Sequence, residues 1–124
     1  LGYAGADQLI GNSGNDVLDG GTGVDQLTGG AGMDVFRFTT LADSIFASGM
    51  DRIADFVKGE DRVDLTGLGF TGVTTGTPTA GQLKLSFDAF YNQTYLRDLN
   101  GTGFGLYLTG NQTAITNSDM VGLV

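Results

Sequence analysis

Aspartate stands at positions 7, 16, 25 and 34, and two places after each comes an apolar residue: Leu9, Leu18, Leu27 and Phe36. From Gly2 to Arg37 the chain reads GYAGADQLI, GNSGNDVLD, GGTGVDQLT and GGAGMDVFR, nonapeptides that follow one another without insertion. One carboxylate per glycine-rich loop, recurring at a fixed interval, is the raw material of an oxygen-ligand site. If two units make one coil, carboxylates two units apart lie on the same side and face the gap between successive turns, together with backbone carbonyls. Hard cations suit that environment, and calcium tolerates irregular carbonyl geometry better than magnesium does. The short Asp side chain holds its oxygens close to the loop backbone where Glu would not. The expected pairs are Asp7 with Asp25, Asp16 with Asp34, and Asp25 with Asp43. Asp51 is expected to complete the last site, where the chain must turn back. The plainer explanation is that Asp and Gly are turn formers. It serves for one such loop and poorly for four in strict register.

The elements that must hold these carboxylates follow from the same period. Glycine at the first and fourth positions suits a backbone needing positive φ or close approach, and the remaining x-apolar-x triplet has room for one short strand with one inward side chain. The fold expected is all-β: a parallel β-roll over residues 1–46, continuing into a β-rich capping half over residues 47–124. Nine residues after Asp34 stands Asp43, followed by Ile45, so FTTLADSIF reads as a degenerate fifth unit that caps the roll. Beyond it, Ile53 to Val57 and Arg62 to Leu65 alternate apolar and polar residues on either side of a KGED turn. Residues 71–81 have the composition of a surface loop. Leu83, Leu85 and Phe87, then Thr94 to Leu99, then Phe104, Leu106 and Leu108 read as antiparallel strands, with Asn100-Gly101 a hairpin turn between the last two.

Composition removes several alternatives. The 124 residues include 22 glycines and no cysteine, histidine or tryptophan, and all but Glu60 of the 14 acids are Asp. Zinc fingers, cysteine nucleophiles and imidazole acid–base chemistry are therefore excluded. A net charge of -8 argues against nucleic-acid binding. No apolar run is long enough for a membrane span, and the basic-then-apolar pattern of a cleaved leader is missing, so neither is expected. The chain opens inside the repeat register, which suggests more of the array upstream; a monomer is expected. Asp98-Leu-Asn100-Gly begins like an EF-hand loop but reaches Thr109 where a bidentate Glu is required, and it is rejected. The sequons at Asn92 and Asn111 matter only in a eukaryotic secreted protein. Asp55, Asp61 and Asp64 read as polar members of strands and turns.

The nonapeptides resemble the calcium-binding repeats of RTX proteins over residues 2–37. GGAGMDVFRFTTLADS followed by DRIADFVKGEDRVDLTGLGF is similar to the C-terminal module shared by serralysin-type metallopeptidases and bacterial mannuronan C5-epimerases, and residues 93–124 look more like an epimerase R-module. The resemblance implies calcium ions held by Asp7, Asp16, Asp25 and Asp34 with loop residues such as Gly5, Gly14, Gly23 and Gly32. It further implies a non-catalytic module, secreted by a type I route and folding on calcium, that is attached to an epimerase catalytic module and possibly to further R-modules. R-modules modulate the grip of that enzyme on alginate, so Arg37, Lys84, Tyr91, Tyr95 and Arg97 are candidate polysaccharide contacts. Basic side chains more often just face water. The alternative implied is a folding and secretion domain for a protease or lipase, without sugar contact. A third, that the chain is itself a carboxylate-based glycan enzyme, is set against the absence of any replacement for the epimerase catalytic module. Tyr3 and Asn12 depart from the motif where later units have a second glycine.

Overall fold

The computed structural model describes residues 1–46 and 49–124. Each nonapeptide forms one short strand: β1 (Gln8–Ile10), β2 (Val17–Asp19), β3 (Gln26–Thr28) and β4 (Val35–Arg37). Every strand pairs in parallel with the next but one, so Leu9 stands opposite Leu27 and Leu18 opposite Phe36. Odd and even strands thus build two separate sheets with the apolar residues between them, which is the expected β-roll. Close packing of successive loops requires glycine: Gly23 has φ +132°, and a Cβ there would collide with the Gly5 carbonyl one coil earlier. Asn12 takes φ 76° where later units have glycine, a conformation Asn tolerates better than most side chains. Tyr3, at the same position of the first unit, is not in the left-handed region.

The parallel architecture extends well past the repeats. β5 (Asp51–Ile53) pairs with β3 and β6 (Arg62–Asp64) with β4, both in parallel, placing Ile53 beside Leu27 and Val63 beside Phe36. FTTLADSIF does not supply the fifth strand. Asp43 instead closes a short 3-10 turn, Leu41–Asp43, where its carboxylate accepts the Thr39 and Thr40 amides at 2.8 and 3.0 Å and the Thr40 hydroxyl at 2.7 Å. The expected boundary between roll and capping half adjoins residues 47 and 48, which lie outside the described residues.

The remaining strands are β7 (Gly72–Thr74), β8 (Gln82–Asp88), β9 (Gln93–Arg97), β10 (Gly105–Thr109) and β11 (Met120–Val121). One sheet runs β1-β3-β5-β10-β9-β8-β7 and the other β11-β6-β4-β2. β8, β9 and β10 are antiparallel as expected, whereas β10 joins the roll by parallel pairing with β5. The stretch read as a surface loop contains β7, an edge strand parallel to β8 and held by the Asn117 side-chain oxygen on the Val73 amide. A continuous core links both halves: Leu18, Leu27, Phe36, Ile53 and Val63 in the roll pack into one cluster with Phe70, Leu85, Leu96, Phe104 and Leu108.

Candidate metal centre

Stacking the coils lines the aspartates up in two ladders. The Asp7 amide donates to Oδ1 of Asp25 and the Asp25 amide to Oδ1 of Asp51, each at 2.8 Å. On the other side, the Asp16 amide donates to Oδ1 of Asp34 and the Asp34 amide to Oδ1 of Asp61, each at 3.0 Å. Asp25, Asp34, Asp51 and Asp61 therefore each use one oxygen to hold the preceding coil. Oδ2 of Asp61 accepts the Val57 amide at 2.8 Å, but elsewhere the other oxygen is left over: Oδ2 of Asp16, Asp25, Asp34 and Asp51 is buried without a hydrogen-bond partner. Buried, unpaired carboxylate oxygens are costly, and a repeated set of them calls for a positive partner.

Glycine provides the space beside these oxygens. A Cβ at Gly11 would lie 2.6 Å from Asp16 Oδ2, and one at Gly20 or Gly29 would collide with Oδ2 of Asp25 or Asp34. The first glycine of each unit thus clears room for that unit's own carboxylate. Among the described residues no three acidic side chains converge on one point. Any ion in the ladder must draw on one or two carboxylates plus backbone carbonyls, the donor set that calcium accepts.

Electrostatics agree with an unmet need for cation. Burial pushes the Asp51 carboxyl up to about 7, against the lowering effect of the Asp25 amide, and the charges of Asp25 and Asp43 push the same way as burial. Asp25 and Asp61 are also raised, again chiefly by burial, with neighbouring carboxylates adding to the effect. Asp64, Asp98 and Asp119 behave oppositely. Burial would raise them, but hydrogen bonds from Thr66, from Asn100 and Thr102, and from Thr116 and Lys58 hold them below the ordinary value.

The ladders regroup the aspartates read from the sequence. Asp7 with Asp25 and Asp16 with Asp34 are successive rungs, and Asp51 is the rung beyond Asp25. Asp43 takes no rung, although its charge acts on Asp25 and Asp51. Asp61 is a rung that sequence reasoning took for an ordinary turn residue. Asp55, also passed over, accepts the amides of Gly29 and Gly30 at 2.9 and 2.8 Å and so ties down a repeat loop. Gly5, Gly14, Gly23 and Gly32 all have positive φ, with the carbonyls of Gly5 and Gly14 turned against Gly23 and Gly32 of the next coil.

The candidate polysaccharide contacts fall in three places. Lys84 and Arg97 face each other across β8 and β9, with Tyr95 further along the same side of β9. Arg37 lies on the opposite sheet, bound to Asp64 at 3.3 Å. Tyr91 is exposed at the β8–β9 tip, edge-on to Phe90.

Comparison with known proteins matches this architecture. Residues 3–121 match the family model of the peptidase M10 serralysin C-terminal domain. The chain is 48% identical over 84 residues to alginate lyase 7 of Azotobacter vinelandii, and 44% identical over 93 residues to the mannuronan C5-epimerase AlgE2 of the same organism. These alignments cover 62% and 70% of this chain but only 10% and 9% of the relatives, so the chain spans a small fraction of their length. Its fold superposes on the solution structure of the AlgE6R2 subunit of the Azotobacter vinelandii mannuronan C5-epimerase, with TM-score 0.73 and 40% identity, over 94% of this chain and 76% of that one. The AlgE6R3 subunit gives 0.72 and 36%, over 97% and 75%. The chain belongs to the peptidase M10 serralysin C-terminal family, and within it is similar to the R-modules of mannuronan C5-epimerases.

Proposed function

We propose that this chain is a non-catalytic, calcium-binding accessory module of a secreted bacterial mannuronan C5-epimerase. Calcium enters the ladders at Asp7, Asp16, Asp25, Asp34, Asp51 and Asp61, with loop carbonyls such as those of Gly5, Gly14, Gly23 and Gly32 as further ligands. The ion supplies the positive charge that the paired carboxylates lack and so permits the roll to close. The carrying observation is the set of buried Oδ2 atoms without partners on Asp16, Asp25, Asp34 and Asp51. Without cation, like charges oppose one another along each ladder, and a thin core must offset the entropy of ordering many glycines. Binding and folding are then one event. A chain that stays open at low calcium and closes outside the cell suits type I export.

The relatives support attachment to a catalytic module that acts on alginate, since the matched segments are small parts of an alginate lyase and of epimerases. In that setting the module folds beside the catalytic module and helps it hold the polymer. The test joins this chain to such a catalytic module. Turnover of polymannuronate should exceed that of the catalytic module alone and lose the advantage in chelator, while this chain alone leaves uronate composition unchanged. Conversion by the chain alone would overturn the reading. Equal turnover with and without the chain would favour a folding and secretion role without sugar contact.

A further inference from the structure

The Asn100-Gly101 pair, expected as a two-residue hairpin turn, sits instead inside a longer loop, residues 98–104, between β9 and β10. The Asp98 amide closes that loop on the Phe104 carbonyl at 2.9 Å. Asp98 is buried and gathers the loop round its carboxylate. Its Oδ1 accepts the Asn100 amide at 2.8 Å, and its Oδ2 accepts the Thr102 amide at 2.9 Å and the Thr102 hydroxyl at 2.6 Å. Asn100 and Gly101 themselves are exposed. The Asn100 side chain reaches outward, and its Nδ2 donates to the Thr79 carbonyl at 3.2 Å. That carbonyl also accepts the Gln82 amide at 3.1 Å, so one bond ties the β9–β10 loop to the turn that opens β8.

Several features set Asn100 apart from the other asparagines. It alone precedes glycine. Gly101 has φ +150° with open space where a Cβ would stand, and among the described residues its amide has no acceptor. A main-chain nitrogen with no hydrogen bond to surrender and no side chain beside it is open to attack the neighbouring carboxamide. The two groups belong to adjacent residues, so the encounter is intramolecular and closes a five-membered ring. Elsewhere the carboxamide is occupied. The side-chain oxygens of Asn15, Asn111 and Asn117 hold the amides of Met33, Thr113 and Val73. Only the exposed bond to Thr79 restrains that of Asn100.

We propose that Asn100 is a site of spontaneous covalent conversion in the folded chain, which unfastens the β9–β10 loop. The Gly101 nitrogen gives up its proton to water and forms a bond to Cγ of Asn100. The bond from Cγ to Nδ2 breaks, and ammonia leaves with the proton returned by water. Water then opens the cyclic imide at one of its two carbonyl carbons. Opening at Cγ restores the main chain and leaves aspartate. Opening at the main-chain carbonyl leaves isoaspartate, with the chain running through the former side chain. One water is consumed and one ammonia released, and no oxidant or reductant takes part.

The contacts of the loop determine what the conversion does. Either product replaces the carboxamide by a carboxylate, so the donor to Thr79 is lost and a negative charge faces a carbonyl oxygen. Isoaspartate also adds a methylene to the main chain between two residues whose amides share the Asp98 carboxylate. The added atom pulls one of those amides away. The change is irreversible, adds one negative charge to a chain of net charge -8, and does not depend on the metal ladders.

The experiment incubates the calcium-loaded chain in warm, mildly alkaline buffer, with a parallel sample opened by urea. Peptide-mapping mass spectrometry reads replacement of NH2 by OH at each asparagine, and fragmentation by electron transfer separates aspartate from isoaspartate. In the folded chain Asn100 should convert at least about tenfold faster than any other asparagine, at a rate close to that in urea. Asn100→Gln, which would need a six-membered ring, should remain unconverted. In NMR spectra the converted chain should show shifted amides at Thr79, Gln82 and Thr102. Asn100→Asp, which lacks the added methylene, should shift Thr79 and Gln82 and leave Thr102 nearly in place. Asn100 preserved in the folded chain while it converts in urea overturns the proposal, because the loop then blocks attack. Conversion no faster than at the other asparagines overturns it as well, and conversion without shifts at Thr79 and Thr102 overturns the unfastening.

Discussion

Replacing Asp51 by Asn should stabilise the calcium-free chain and weaken the calcium-loaded one. Asp51 is fully buried, its Oδ1 accepts the Asp25 amide, and its Oδ2 has no partner. Burial raises its carboxyl from 3.8 to about 7, roughly three units, so an ionised Asp51 costs the metal-free fold about 4 kcal/mol in mildly alkaline buffer. Asn keeps the acceptor for Asp25 and removes the charge. It also places an amide donor at the unpartnered position, and any part left unsatisfied returns about 1–3 kcal/mol of the gain. The net expectation is a gain of about 1–3 kcal/mol in chelator. In calcium the sign reverses, because the ion loses a charged ligand shared by the Asp25 and Asp51 rungs. Urea unfolding followed by circular dichroism measures the loss in millimolar calcium, and in chelator, where the parent chain is open, the gain reads as a larger folded fraction in the spectrum without urea. If Asp51→Asn destabilises the chain equally in both conditions, the carboxylate is only a hydrogen-bond acceptor and the ladder is not a metal site.

Other perturbations separate the parts of the site. Gly29→Ala needs no unusual φ, yet its Cβ would collide with Asp34 Oδ2; calcium affinity measured by calorimetry should drop, while Gly59→Ala, at a φ of +88° with nothing near its Cβ, should cost about 1 kcal/mol of stability and leave affinity unchanged. Asp61→Ala should lower calcium affinity, whereas Asp43→Ala, which strips the Thr39–Thr40 turn of its cap, should reduce stability by about 1–2 kcal/mol with a much smaller change in affinity. The metal-free chain should become more stable as pH falls from above 7 toward about 4. Asp25, Asp51 and Asp61 have raised values, so protonation relieves their burial, most completely for Asp51 below about 7. Below the ordinary carboxylate value stability should fall again, because Asp64, Asp98 and Asp119 are held low and surrender their bonds on protonation. The β content of the chelated chain, followed by circular dichroism across that range, checks both limbs.

The sequence showed the ladder where its period is intact and lost it where the period breaks. Asp7 to Asp25 and Asp16 to Asp34 are both 18 residues apart, and register alone pairs them. The next steps span 26 residues to Asp51 and 27 to Asp61, since the chain makes an excursion through the 3-10 turn before resuming the coil. Asp43 falls on the nine-residue count, but hydrogen bonds from two threonines give its carboxylate other work. Asp61 was hidden because the glycine pattern that marks a rung is missing around it. β7 was illegible for a different reason. A Gly-Val-Thr segment among threonines becomes a strand only because β8 and Asn117 supply its hydrogen-bond partners. The antiparallel strands β8, β9 and β10 were visible through alternation, whereas the parallel junction of β10 with β5, which brings Arg52 beside Tyr107, has no local signature.

In the proposed role, cations filling the paired aspartate ladders close the roll. Far-ultraviolet circular dichroism of the chelated chain, followed through stepwise calcium addition, tests it most directly. The expected result is a cooperative gain of β structure with calcium, abolished by chelator and not reproduced by magnesium at the same concentration. A spectrum already folded in chelator and unchanged by calcium would contradict it.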